Sequence, residues 1–454
     1  MIAPVLLWFR QDLRLSDQAA VIAAAGEGRV IPVYVLDDDT PGDWRIGGAQ
    51  RWWLHHSLQA LDRELRDKGS RLILRRGKAV EELARLAKET GIPRIHALRH
   101  YEPWWQETEE DLAKEYELCL SDGNYLAAPY EVLSGSGGRY RIFTPWWRAL
   151  KQQMPPEKPR RAPSDIPGPS RWPKSDNLED WSLLPTRPDW AKAFGEQWTP
   201  GEDGARAALD RFLPHLEEYD EARNLPSEEG SSRLSPHLHF GEISPATVWY
   251  RCAGKAHGKA EPFLREVGWR DFSANVIDQF PDYAHRNGRD SYEVQWRTGK
   301  AAEADFEAWT KGRTGYPIVD AGMRQLWATG WMHNRVRMIA ASFLIKHLLI
   351  DWRRGERWFW DTLVDADYGN NSQNWQWVAG SGVDSNPFGR IMAPLTQSAK
   401  FDAAGYIREW VPELAKLGDD LIHDPHGAGC APDGYAEPLI GHRAGRERAL
   451  AAAR

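Results

Sequence analysis

Over its first 130 residues the chain alternates short apolar runs with amphipathic stretches, and this alternation limits the possible fold more than any other feature. Pro4 to Phe9, Val30 to Leu36, Arg71 to Leu74, Arg94 to Leu98 and Asn124 to Ala127 read as strands. The segments between them carry helical spacing. It is clearest from Ala49 to Arg66, where Trp53, Leu54, Leu58, Leu61 and Leu65 share one face. Such rotation of strand and helix predicts a five-stranded parallel sheet in a doubly wound α/β domain over residues 1–130. Ligands of these sheets sit at the carboxyl ends of the strands, so Trp8 to Arg14 is a candidate lip. No GxGxxG follows the first strand, which removes the usual dinucleotide fingerprint.

Residues 131–200 read as a connector, and from 151 onward it is rich in Pro, Arg, Lys and Trp with little periodicity. Residues 201–454 read as a large all-α domain, with amphipathic runs at Gly204 to Tyr219, Pro262 to Ile277, Ala321 to Trp327 and Arg335 to Leu349. The longest apolar run, Met338 to Ile345, is far short of the roughly 18 residues a membrane helix needs. The N-terminus has no basic segment and no small-residue cleavage site, so a signal peptide is not expected. Cys119, Cys252 and Cys430 lie far apart without a CxxC pair, which argues against a disulfide framework or a cysteine metal site and for a reducing, cytoplasmic setting. A net charge of -7 leaves nucleic-acid binding to a local basic face. Tryptophan, with 24 copies, is the outlier of the composition. Its default use is core packing, but it also stacks on flat ligands and carries electrons.

Four constellations offer chemistry. Gly230 to Pro236 sets Ser231, Ser232 and Ser235 around Arg233 just ahead of an amphipathic segment, a pattern that suits phosphate oxygens as well as a plain helix cap. Asp365, Asp367, Asn370, Asn371 and Asn374 crowd together before Trp375 and Trp377, and buried carboxylates and amides need partners. The spacing is not that of a calcium loop, so a polar heteroaromatic ligand suits these groups better. Asn334, Arg337 and Met338 share a helical face from which Arg335 points away. Glu266, Trp269 and Arg270 put a carboxylate, a flat ring and a guanidinium on another face, where a surface ion pair beside a core Trp is the ordinary alternative.

The order of WFRQDLRL at 8–15, GSSRLS at 230–235, WRDF at 269–272, TGYPIVDAGMRQL at 314–326, GWMHNR at 330–335 and NWQW at 374–377 resembles the photolyase and cryptochrome family, and most of all its class I cyclobutane pyrimidine dimer photolyases. The resemblance runs from residue 5 to about 415. It implies an N-terminal antenna domain, a linker and a helical domain holding FAD. By position, Tyr219, Ser231, Ser232, Arg233, Ser235 and Arg270 then hold the FAD phosphates and ribityl region. Asp365 and Asp367 lie beside the isoalloxazine and ribose, Arg337 pairs with the first of them, and Asn371 faces flavin N5. Plant-type cryptochromes carry Asp at that last position, so Asn371 favours a repair enzyme.

The same resemblance makes Trp375, Trp352 and Trp296 an electron chain from the surface to the flavin. It assigns Glu266, Trp269, Asn334, Met338 and Trp377 to the flipped-out lesion, and Arg223, Arg335 and Arg390 to DNA phosphates. Relatives that repair the (6-4) lesion carry His at the positions of Asn334 and Met338, so cyclobutane dimers in DNA are the expected substrate. The antenna stays open. Arg99 to Trp105 follows the fourth strand, and Glu102-Pro103 is similar to deazaflavin binders, whereas His100 departs from the acidic residue expected there. Methenyltetrahydrofolate, 8-hydroxy-deazaflavin and an empty site are all compatible. A cryptochrome-like blue-light photoreceptor is the alternative, disfavoured by Asn371 and by the short end after Leu414. A non-catalytic nucleic-acid module is a third, without a known module motif to support it. A monomer with no obligate protein partner is expected.

Overall fold

The computed structural model describes residues 4–254, 258–289, 294–385 and 391–452. Two compact units emerge: Met1–Leu216 with Ser232–Asp282 and Val364–Gly369, and Glu217–Ser231 with Tyr283–Leu363 and Asn370–Arg454.

The first unit is built on a five-stranded parallel sheet: β1 (Val5–Phe9), β2 (Val30–Leu36), β3 (Ile73–Arg76), β4 (Arg94–Leu98) and β5 (Glu117–Ser121). Their spatial order is β3-β2-β1-β4-β5, with Val5 level with Val30 and Leu6 level with Ile95. The helices α1 (Ala19–Glu27), α2 (Gly48–Asp67), α3 (Ala79–Thr90) and α4 (Pro103–Glu115) make the crossovers that parallel strands require. All five residues of β1 are buried, which is why its sequence shows a continuous apolar run and no alternation. The strand order reverses between β1 and β4, and ligands of such sheets bind outside the strand ends at that switch point.

The fifth strand is Glu117–Ser121 and not the expected Asn124 to Ala127. As an edge strand it is only partly covered, so it can open on Glu117, which pairs with Arg94 of β4 at 2.8 Å. Asn124 to Ala127 is instead a loop segment in which Asn124 and Leu126 are buried and Tyr125 and Ala127 half-buried. Its apolar side chains serve the core, and its polar groups are met by Gln11 O, 2.9 Å from Asn124 Nδ2, and by Asp271 Oδ2, 2.6 Å from Leu126 N. The connector also holds a helix that its composition hides, α5 (Phe143–Gln153), before the chain becomes largely irregular. The run from Gly204 stops early: the helix Glu202–Phe212 tightens into a 3-10 turn at Leu213–His215, where Pro214 has no N–H to continue the ladder. The Glu261–Gln279 helix lies in this first unit.

The second unit is helical. Pro317–Thr329 begins on a proline, which costs no hydrogen bond at that position, and ends at Gly330 with φ +68°, whose N–H returns to Leu326 O. The expected run from Arg335 to Leu349 is an α-helix only over Asn334–Ser342. It then widens into a π-turn at Phe343–His347. Trp352–Thr362 is capped by Asp351, which accepts from Arg353 N at 3.1 Å, and Tyr368–Ala379 follows. No helix among the described residues is long and apolar enough to cross a membrane.

Candidate functional site

In the first unit the chain leaves β1 into a cluster of buried polar and aromatic side chains at the switch point. Arg10 Nη1 lies 2.7 Å from Glu109 Oε1, and its guanidinium carbon stands 4.0 Å from the Trp8 ring centroid. Trp105 meets Trp8 edge-on at 5.7 Å. After β4, His100 and Glu102 are both buried, with Nδ1 3.7 Å from Oε2. Burial pushes the Glu102 carboxyl up, but His100 outweighs it and holds the carboxyl below its ordinary value. Trp8 Nε1, Trp105 Nε1, His100 Nε2 and Glu102 Oε2 have no hydrogen-bond partner. Four orphaned polar atoms in one cluster mark a place for a polar ligand or ordered water.

The Glu261–Gln279 helix carries Glu266, Trp269 and Arg270 as expected, all half-buried. Trp269 lies face to face with Phe143 of α5. Arg270 is largely engaged by the protein: it donates to Asn124 O and to Leu238 O (3.1 Å), and its guanidinium stands 4.5 Å from the Tyr125 ring centroid. Its Nε is buried without a partner. Beside it, burial raises the Asp271 carboxyl to about 7. Ser232, Arg233 and Ser235 lead into a helix of only five residues, Ser235–His239. Arg233 has φ +53°, the left-handed conformation that few side chains adopt, and its guanidinium stands 5.8 Å from the Trp198 centroid. Ser235 is exposed. Asp365 and Asp367 are half-buried, and Asp367 Oδ2 lies 3.7 Å from His239 Nδ1.

In the second unit Tyr219 is buried with Arg223 over its ring at 5.4 Å. Ser231 follows Gly230, where a Cβ would stand 2.4 Å from the Ala222 carbonyl, so only glycine lets this loop close on the Tyr219–Ala222 turn. Asn334 is exposed at the start of its helix, and Met338 is half-buried one turn on. Arg335 donates to Asn224 Oδ1 and stands 4.5 Å from the Phe401 centroid. Its Nε is buried without a partner. Arg337 Nε donates to Met332 O at 2.7 Å. Arg390 lies outside the described residues.

The acid and amide segment is less uniformly buried than its composition suggests. Asn371 is buried and its Nδ2 donates to Glu356 O at 3.0 Å, whereas Asn374 is exposed and bonds Asn370 O. Trp375 is buried beside Phe359 at 5.0 Å and Trp309 at 6.3 Å. Gly355 makes room for it, since a Cβ there would stand 2.1 Å from Trp375 Cη2. Trp352 is sealed and donates from Nε1 to Asn287 Oδ1 at 3.1 Å, Trp296 is half-buried, and Trp377 is 38% exposed.

Sequence reasoning missed Glu356. It is fully buried, neither carboxylate oxygen has a partner, and burial drives its carboxyl well above the ordinary value. Nothing in the sequence marks it, because a Glu among Arg353, Arg354 and Arg357 reads as the charged face of a helix.

Residues 5–164 match the family model of DNA photolyase, and residues 263–454 match the model of the FAD binding domain of DNA photolyase. The fold and these two matches define a flavin-binding protein with an α/β layer ahead of its cofactor domain. A relative named deoxyribodipyrimidine photo-lyase, from Agrobacterium fabrum, is 48% identical over 99% of this chain and 97% of its own length. The crystal structure of a bacterial class III photolyase from Agrobacterium tumefaciens superposes with a TM-score of 0.94 at 47% identity, covering 100% of this chain and 97% of that one. Cryptochrome-2 of Arabidopsis thaliana is 34% identical over 93% of this chain and 72% of its own. The chain belongs to the photolyase and cryptochrome family and carries that family's FAD-binding domain. The class I likeness drawn from the motifs gains no support here, because the solved relative at 47% identity bears a class III label.

Proposed function

We propose that this chain is a light-dependent DNA repair enzyme that splits cyclobutane pyrimidine dimers, working as a cytoplasmic monomer. One observation carries the reading: 48% identity across almost the whole of both chains to a relative named deoxyribodipyrimidine photo-lyase. FAD, when bound, supplies light-driven donation of one electron to the dimer and takes it back after the ring opens. The protein binds, orients and excludes water. Tyr219, Ser231, Ser232, Arg233, Ser235 and Arg270 are assigned to its phosphates and ribityl chain, and the orphaned Nε of Arg270 suits an anionic partner. Asp365, Asp367 and Arg337 are assigned to the polar ring edge and ribose. Asn371 would offer a neutral amide to N5, and the bond from its Nδ2 to Glu356 O limits which way that amide turns.

For the substrate, Trp269 and Trp377 supply flat apolar surface for extruded bases, a use of aromatic rings worth about 1–3 kcal/mol per base. Glu266 and Asn334 accept and donate hydrogen bonds at the pyrimidine edges, and Met338 lines the apolar side. Arg223, Arg335 and Arg390 are assigned to the phosphates, contacts that position the duplex without reading its sequence. Trp375, Trp352 and Trp296 would carry electrons from solvent to an oxidised cofactor; Trp375 and Trp352 are buried and Trp296 is half-buried, which suits Trp296 as the outermost of the three. An antenna chromophore, folate or deazaflavin, finds unmatched polar atoms in the cluster of Trp8, His100, Glu102 and Trp105.

The test is to incubate the reduced protein with oligonucleotides carrying either a cyclobutane dimer or a (6-4) lesion, illuminate with blue light, and measure restored pyrimidines. Restoration of the cyclobutane substrate alone is expected. Repair of the (6-4) lesion alone overturns the substrate. Repair of neither, with flavin that still photoreduces, favours the photoreceptor reading that the likeness to cryptochrome-2 supports.

A further inference from the structure

Trp269 reaches its position with one face already covered. The Phe143 ring lies against the indole with centroids 3.6 Å apart and planes 8° from parallel. Phe143 is 1% exposed, whereas Trp269 is half-buried. Isolated rings prefer offset or edge-on contacts to a close face-to-face pair, so the surroundings must impose this one. They do so from two sides. Phe272 meets Phe143 edge-on at 5.6 Å and Trp269 edge-on at 5.8 Å, which blocks sliding of either ring. Gly268 lets α5 approach: a Cβ there would stand 2.5 Å from Trp147 Cζ3, and Trp147 is one turn after Phe143. Arg265, one turn before Trp269, places its guanidinium carbon 5.3 Å from the Phe143 centroid and adds a cation to the stack.

We propose that Phe143 is a positioning residue for lesion recognition: it holds the Trp269 indole in one fixed plane, so that its uncovered surface receives an extruded pyrimidine base. The inference rests on the repair reading above. Its physical basis is preorganisation, since a flat surface already immobilised loses less freedom when a base stacks on it than a ring that rotates about its side-chain bonds. The contribution falls on binding and not on bond breaking, because Phe143 touches Trp269 and not the reacting atoms.

The experiment compares the whole protein with Phe143→Leu, Phe143→Met and Phe143→Tyr. The first two keep an apolar side chain without a flat face, and the third keeps the ring. Flavin absorption and the far-ultraviolet circular dichroism of each variant separate a folding defect from a local one. In Phe143→Leu and Phe143→Met the Kd for an oligonucleotide carrying a cyclobutane dimer is expected to rise about 2- to 10-fold, the size of one aromatic contact. The Kd for the undamaged oligonucleotide and the single-turnover splitting rate in the saturated complex stay at parent values, and Phe143→Tyr restores tight binding. In a Trp269→Ala background, Phe143→Leu adds no further loss, because the two residues act as one unit. Parent affinity for the dimer in Phe143→Leu, equal losses on damaged and undamaged DNA, or fully additive losses in the double variant would each overturn the inference while leaving the repair reading standing. A parent protein without preference for dimer-bearing DNA strikes the repair reading itself, and this inference falls with it.

Discussion

Glu102, at the strand ends of the first unit, and Glu356, inside the helices of the second, are equally sealed from water, yet their protons behave in opposite ways. Burial favours the neutral acid at both. At Glu102 the neighbouring His100 outweighs burial, although Asp367 pushes the other way, and the carboxyl ionises more readily than in water. At Glu356 the cations of Arg353 and Arg357 act weakly against burial, no atom bonds the carboxyl group, and burial holds it well above the ordinary carboxylate value. Burial alone therefore says little about a carboxylate; a partner within a few ångströms decides its charge. Pairing favours the charged carboxylate in the strand-end cluster, and exclusion of water favours the neutral acid in the helical one.

The largest expected effect breaks the pairing. His100→Ala leaves Glu102 buried without its partner, so the carboxyl must either stay ionised in the interior or take up a proton, and loss of one member of a buried pair costs about 3–5 kcal/mol, read by urea unfolding at pH 7. Glu102→Gln in the same background should recover part of that loss. A His100→Ala protein as stable as its parent would erase the contrast drawn here. Next, the helical site should be limited by space and not by charge. Gly355→Ala drives a Cβ into the Trp375 ring and should cost about 1–3 kcal/mol by overpacking, with slower photoreduction as the ring moves.

Trp375→Phe separates electron supply from packing. It should slow photoreduction of oxidised FAD severalfold while repair by protein already reduced is nearly unchanged, because repair draws no electron from the surface. Photoreduction at the parent rate would show that the route does not pass through Trp375.

The pH test sharpens the comparison. Glu356 has a folded-state value above its unfolded one, so its contribution to stability is full below the unfolded value and is lost as pH rises toward the folded value. Glu102 has the opposite sign, with stability present above its unfolded value and lost as pH falls through the folded one. Glu356→Gln, which mimics the neutral acid, should therefore gain about 1 kcal/mol at pH 8 and little at pH 5. A gain independent of pH would mean that Glu356 is not protonated in the folded chain. The smallest effect is on salt dependence: Arg223→Ala should lower the slope of log binding constant against log salt by about 1, as expected when one phosphate contact is lost.

Some of this was legible in advance for definite reasons. A parallel strand covered on both faces must be apolar throughout, so β1, β2 and β4 stand out as runs, and α2 stands out through its single apolar face. The edge strand β5 escapes the same test because half of it faces water, and a polar residue such as Glu117 costs nothing there. The motif segments pointed to the right family, as the matches over residues 5–164 and 263–454 show, because runs of that length and order are rarely needed for folding alone. The spacing said nothing of what each group would be bonded to. Arg270 was assigned to phosphates, and in the structure its Nη atoms also serve Asn124 O and Leu238 O.

By itself the sequence determined the succession of elements, the switch from sheet to helices and the kinds of side chain available to a flavin. Those follow from local periodicity and composition, which a chain carries before it folds. Tertiary structure alone decided which groups lost water and which neighbours they met. Glu356 lost water and with it the ease of ionising, Gly355 became the space for Trp375, and Phe143, more than a hundred residues away in the chain, came to lie on Trp269. Desolvation and contact between distant segments are properties of the packed interior, and no short stretch of sequence encodes them.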